Sequence, residues 1–234
     1  MVILLTNGYI SQAFFNTRSW NNMIYDSQRV DMKKRNSFAD LKNIEKKARQ
    51  DVIIESAKRV FAIKPFNKVS IRDIAREAGI SHASIYRYFP DQQSLFVEAF
   101  LHGAEEITVI LDSIIRNSEK KLAEKVAEVY LTYLIDNDQY FRMMTHFMLD
   151  GSLSAEMVDK LNASERLIFD KFDALFRKMN MPEPVRPMSH AFFAALNGVL
   201  ITFRNYPGRS VKAVHQHMHN IAQIIVSKFC TTSV

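Results

Sequence analysis

Residues 70–89, SIRDIAREAGISHASIYRYF, hold side chains at helical spacing that could contact a polyanion and read base edges. Two short helical patterns meet at Gly79, and the second carries His82, Ser84, Tyr86, Arg87 and Tyr88. A helix fits the B-DNA major groove, and a helix-turn-helix places its second helix there. Ser and Tyr hydroxyls, with the free N–H groups of a helix start at Ser81, suit phosphate oxygens. Arg87 or His82 suits a guanine edge, small Ala83 allows close approach to the duplex, and Arg72 on the preceding helix can reach a base or a phosphate. A glycine turn between two helices is by itself a weak sign, because any helical hairpin can have one.

The elements around this stretch are helical. Ile53, Ile54, Ala57, Val60 and Phe61 recur every three to four residues, with Glu55, Lys58 and Arg59 on the other face. Pro65 is expected to end that helix. Ser70, with Asp73 three residues on, is expected to cap the next one, whose buried stripe is Ile71, Ile74, Ala75 and Ala78. Gly79 supplies a left-handed stop. Ser81 caps a third helix with Ile85 and Phe89 inward, and Pro90-Asp91 starts a fourth. Further amphipathic stretches follow at 121–135, 140–149, 155–179, 187–206 and 211–229. They are separated at 136–138, 151–152, 180–187 and 207–208.

The chain has 234 residues, 47% hydrophobic, with only 6 Gly and 6 Pro. That balance, without hairpin signals, predicts an all-α protein. Of the formal net charge of +6, most is concentrated in residues 32–50. There Lys33, Lys34, Arg35, Lys42, Lys46, Lys47 and Arg49 face only Asp40 and Glu45. A basic arm beside a helix-turn-helix is expected to be drawn to phosphates, with Lys46, Lys47 and Arg49 nearest the motif. Residues 1–31, rich in Asn, Gln and Ser without period, are expected to be disordered and dispensable, with Met32 a plausible start of the compact protein.

Residues 48–108 resemble the N-terminal domain of TetR-family transcriptional regulators. The resemblance rests on Ala57 and Phe61, then Ser70, Asp73-Ile74-Ala75, Ala78-Gly79-Ile80-Ser81, Ile85-Tyr86-Arg87-Tyr88-Phe89 and Leu95-Phe96, in the family's order and spacing. It covers about a quarter of the chain. It implies a dimeric DNA-binding regulator, commonly a repressor released from a palindromic operator by a small-molecule effector. By position, His82, Ala83, Ser84, Tyr86, Arg87 and Tyr88 match the family's DNA-facing helix, and Arg72 matches a helix-two contact. Two residues depart from the pattern: Pro65 stands where Gly is usual, and Gln92 where a phosphate-contacting Lys is usual.

The expected organisation is an extension at 1–47, a helix-turn-helix domain at 48–108 and a helical effector-binding and dimerisation bundle at 109–234. The TetR-like architecture implies that the last two long helices pair with their symmetry mates. Small Ala191, Ala194, Ala195 and Gly198 would permit close contact there. Eight of the 11 Met lie between Met143 and Met218. Adaptable Met and clustered aromatics suit an apolar ligand. Tyr133, Phe141, Met144, His146, Phe147, Phe169 and Phe172 are the candidate lining, with ordinary core packing equally compatible.

Other classes find little support. There is no HExxH, P-loop or GxSxG, so no enzyme is expected. His215 and His219 share a helix face but make an incomplete zinc site, so neither a metal nor another cofactor is expected. The lone Cys230 fits a reducing cytoplasm. The longest apolar run, 191–203, is interrupted by Asn197 and falls short of the ~20 residues that span a bilayer. The alternative from another class is an all-helical ligand carrier or protein-interaction module that does not bind DNA.

Overall fold

A computed structural model describes residues 38–64, 68–118, 120–149 and 153–230. The expectations for residues 1–31 and Pro65 lie outside these. Among the described residues every regular element is a helix: α1 Phe38–Ile63, α2 Ile71–Glu77, α3 His82–Ile85, α4 Gln92–Asn117, α5 Leu122–Asp136, α6 Asp138–Leu149, α7 Ala155–Lys178, α8 Arg186–Phe203 and α9 Val211–Cys230. The all-α expectation holds.

The chain divides into two units, Met1–Ala48 and Arg49–Val234. In the first, the segment expected to be flexible is helical from Phe38 onward, and Lys42, Lys46 and Lys47 are exposed.

In the second unit, α2 and α3 pack on each other, and α4 packs against α5, α6 and α7. Helix α8 packs on α5, α7 and α9, and α9 also lies on α5. The boundary expected between residues 108 and 109 falls inside α4, and one apolar core runs from Ile53 to Val226. Phe61 of α1 meets Phe96 of α4 edge to face at 4.6 Å. Arg142 of α6 donates to the carbonyl of Phe61 at 2.7 Å, satisfying an acceptor left over at the end of α1.

The helix limits have local causes. Asp91 caps α4 by accepting from the Ser94 N–H at 2.7 Å, and Ser154 caps α7. Gly208 adopts φ +75° in the turn before α9. Pro187, expected where the break at 180–187 gives way to the helical stretch 187–206, sits in the first turn of α8. Its missing N–H costs nothing there, because first-turn N–H groups have no intrahelical partner.

Candidate nucleic-acid interface

The capping box expected at Ser70 forms with reciprocal bonds. The Asp73 N–H donates to Ser70 Oγ at 3.2 Å, and the Ser70 N–H donates to Asp73 Oδ2 at 3.2 Å. Asp73 also pairs with Lys64 at 2.6 Å and Arg76 at 2.8 Å. The Lys64 ammonium, then the Ser70 hydroxyl, hold its carboxyl well below the usual carboxylate range. This fixes the start of α2. Arg59 of α1 reaches Glu77 at its far end, 2.6 Å away.

Gly79 stands at φ +69°. Around it the Ile80 N–H donates to the Ala75 carbonyl at 3.0 Å and the Gly79 N–H to the Arg76 carbonyl at 3.2 Å. These two bonds are a Schellman closure, which needs the left-handed residue that glycine supplies. The chain then turns at Ser81, whose Oγ accepts from the Ser84 N–H at 3.1 Å and opens α3.

Helix α3 is shorter than expected. The α-helix covers His82–Ile85, and residues 86–88 follow as a turn. There the Arg87 and Tyr88 N–H groups donate to Ser84 and Ile85 carbonyls, three residues back. These tighter bonds bring Phe89 into the core beside Ile85. Of the candidate contacts, His82, Ala83 and Ser84 are therefore helical, while Tyr86, Arg87 and Tyr88 are presented by the turn.

Ile74, Ala75, Ile85 and Phe89 face inward. Arg72, Ser81, His82, Ala83, Tyr86 and Arg87 face outward, with Tyr86 49% exposed. Among the described residues, neither Arg72 nor Arg87 has an ion pair, so both guanidinium groups are available to a ligand. Ser84 shares its hydroxyl with Ser81 at 2.8 Å. Tyr88 is half-buried against the core, and its carbonyl accepts from Gln50 Nε2 at 3.5 Å. Gln92 also has a structural partner: its Nε2 donates to the Val69 carbonyl at 3.1 Å, tying the start of α4 to the entry of α2.

Residues 53–99 match the family model described as bacterial regulatory proteins of the tetR family. This segment belongs to the TetR family. The match takes in all of α2, the glycine turn and α3. Two curated relatives extend beyond the TetR-type segment. A helix-turn-helix transcriptional regulator of Haemophilus influenzae is 24% identical over 114 residues, 46% of this chain and 54% of that protein. This chain thus matches about half the length of that relative. The transcriptional regulator PksA of Bacillus subtilis is 27% identical over 192 residues, 77% of this chain and 93% of its own. Among solved structures, the transcriptional regulator FadR of Bacillus subtilis, in complex with stearoyl-CoA, superposes with a TM-score of 0.62 at 16% identity. It covers 75% of this chain and 97% of that one, a likeness of fold.

The candidate ligand residues are buried or half-buried members of the apolar core or packed against it. Tyr133, Phe141, Met144 and Phe172 are buried, and His146, Phe147 and Phe169 are half-buried. Tyr133 donates to the Gly103 carbonyl at 2.9 Å, Phe172 meets Tyr130, and Phe169 meets Phe193. None of the seven lines either of two open clefts. One, of about 320 Å³, lies beside Arg204, Tyr206, Arg209 and His215, and the other, of about 490 Å³, beside Lys121, Glu124, Lys178 and Cys230.

The candidate dimer residues are split. Ala191, Ala194 and Gly198 are exposed on one side of α8, and Ala195 is half-buried. Ile201, 62% exposed, continues that side, and Ile224 of α9 is 63% exposed. No helix among the described residues is long and apolar enough to cross a membrane.

Proposed function

We propose that this protein is a sequence-specific DNA-binding transcriptional regulator that acts as a homodimer in the cytoplasm, a non-enzymatic repressor released from a palindromic operator by a small, hydrophobic ligand. The observation that carries the proposal is the braced helix-turn-helix with uncommitted Arg72 and Arg87 and exposed His82, Ala83 and Tyr86 on its outer side. The family match and the regulator relatives favour this over a carrier that has lost DNA binding. Lys46, Lys47 and Arg49 would add phosphate contacts, while Arg72, Ser81, His82, Ala83, Ser84, Tyr86, Arg87 and Tyr88 set the register and read bases.

Dimerisation follows from the reach of the motif. A single α3 reads few base pairs, and paired half-sites lie about one helical turn apart. The exposed line Ala191, Ala194, Gly198 and Ile201 supports a close helix contact between two copies. Ligand control has a mechanical basis in Arg142, which joins α6 to the end of α1. Tyr133, Phe141, Met144 and Phe172 are buried in the interior. An effector entering there would favour a conformation with α6 displaced, and it shifts operator affinity only by its preference for that conformation. A relative of the same fold that holds stearoyl-CoA supports an acyl-type or other hydrophobic effector.

Electrophoretic mobility shift with the DNA upstream of the protein's own coding region tests this directly. Retardation that survives excess unrelated duplex supports the proposal. Absence of sequence preference at both low and moderate salt refutes it in favour of a carrier or interaction module.

A further inference from the structure

Away from the DNA-facing side, two helices bring four charged or ionisable side chains together. Glu55 and Lys58 stand on α1, one turn apart, and His102 and Glu106 on α4, also one turn apart. The Lys58 ammonium lies 3.0 Å from Glu55 Oε1 and 2.8 Å from Glu106 Oε1, with its side chain only 15% exposed. His102 Nδ1 faces the same two oxygens, 3.6 Å from Glu55 and 3.3 Å from Glu106. That nitrogen is inaccessible to solvent and makes no hydrogen bond of acceptable geometry among the described residues.

One nitrogen and two carboxylate oxygens thus converge, all within 4.8 Å of one another. Zinc bonds to nitrogen and oxygen are about 2.0–2.2 Å long in tetrahedral sites, which sets donor atoms about 3.3–3.6 Å apart. Both histidine-to-carboxylate separations fall in that interval. The other oxygen of Glu106 lies 3.0 Å from the Tyr133 hydroxyl, whose one proton it shares with the Gly103 carbonyl, and such an outer hydrogen bond helps to orient a ligating carboxylate.

We propose that Glu55, His102 and Glu106 form a binding site for a first-row divalent cation, zinc being the best fit, in which the Lys58 ammonium is an internal counter-ion that the metal displaces. The nitrogen-and-carboxylate set suits zinc over magnesium or calcium, which prefer all-oxygen shells. Two carboxylates match a dication better than a single ammonium does, and the flexible stem of Lys58 allows its charge to swing outward. Water completes the fourth position. The ligands come from α1, which carries the helix-turn-helix, and from α4, which runs on into the bundle. Occupancy therefore clamps those two helices together and stabilises the folded chain by mass action.

The test is zinc titration of the full chain at neutral pH, by calorimetry and by competition with a chromophoric chelator. Every protein carries His215→Ala and His219→Ala, so that the histidine pair of α9 contributes nothing. The expected result is one zinc per chain, weakened by about tenfold or more in His102→Ala, since even outer partners of metal ligands contribute that much. Glu55→Gln, at a half-exposed position where folding is not in question, weakens binding in the same way. Lys58→Met binds zinc more tightly than the parent, because the competing cation is gone. Cobalt in place of zinc gives the intense visible bands of a four-coordinate site, and His102→Ala loses them. Zinc binding that ignores His102 and Glu55, or no binding by the parent, overturns the proposal. Binding that appears only after Lys58 is removed also overturns it, since the natural chain would then be closed to the metal.

Discussion

The Arg142 guanidinium of α6 donates to the backbone carbonyl of Phe61, at the end of α1, across 2.7 Å. The same side chain pairs with Asp138 one turn earlier at 2.9 Å. A charged donor on a carbonyl contributes about 1.5–3 kcal/mol. Arg142→Ala is expected to lower thermal stability by that order. It is also expected to weaken operator binding, with every DNA-facing residue intact, because α1 supports the motif. Calorimetry and fluorescence anisotropy on the same samples check both effects.

Two glycines are required for different reasons, and alanine separates them. A Cβ at Gly103 in α4 would stand 2.6 Å from Cδ2 of Tyr140, whose buried ring is stacked on Phe100 at 4.9 Å and cannot retreat. Gly103→Ala should cost about 1–3 kcal/mol through overpacking, despite the better helix propensity of alanine. A Cβ at Gly79 would meet nothing within 4 Å, so only φ +69° opposes it. Gly79→Ala should cost about 1–2 kcal/mol, the strain of a left-handed alanine. Denaturant unfolding of the two variants measures these costs, and the Gly79 variant should lose more DNA affinity because its strain lies inside the motif.

The capping box implies a dependence on acid. Asp73 titrates lower when folded than when unfolded, because Lys64 and Ser70 stabilise its charged form. Its contribution to stability is complete above its unfolded value of about 3.9 and is lost as pH falls through the lower folded value. Asp73→Asn removes that contribution, so the melting temperatures of variant and parent should converge as pH falls below about 4. Circular dichroism melts between neutral pH and strong acid give the comparison. A constant difference across that range would assign the stabilisation to something other than the charge.

The exposed side of α8 supplies a test of assembly. Gly198 has open space above it and Ile201 is 62% exposed, so Gly198→Glu and Ile201→Glu leave the monomer core untouched. Buried like charges across a two-fold contact are expected to halve the mass seen in sedimentation and to abolish operator binding with the fold retained.

Much of this was legible in the sequence where the cause is local. Ser70, Asp73 and Gly79 carry cap and turn chemistry within a few residues, and the structure forms both as read. The limits of α7 and α9 follow from helical periodicity and from turn residues at their flanks. The end of α3 was not legible, because Tyr86–Tyr88 keep a helical pattern while their hydrogen bonds tighten to place Phe89 in the core. Glu55 and Lys58 read as a solvated helix face. Only the approach of α4, more than forty residues away, turns that face into a half-buried charge cluster with His102 and Glu106. Gly103 carried no signal, since its need is set by the ring of a distant Tyr140.

Arg87, in the turn after α3, is proposed to read sequence, whereas the basic residues of α1 contribute charge alone. Fluorescence anisotropy over a range of salt concentrations, with operator and shuffled duplexes, measures both effects. Arg87→Ala is expected to bring operator affinity down to that of shuffled DNA, a weakening of about 1–3 kcal/mol or more from the base contact. Neutralising Lys46 and Lys47 should weaken both duplexes alike and flatten the salt slope by about 0.9 for each phosphate that the protein no longer neutralises. Unchanged discrimination in Arg87→Ala, with a folded protein, would show that Arg87 does not read the operator.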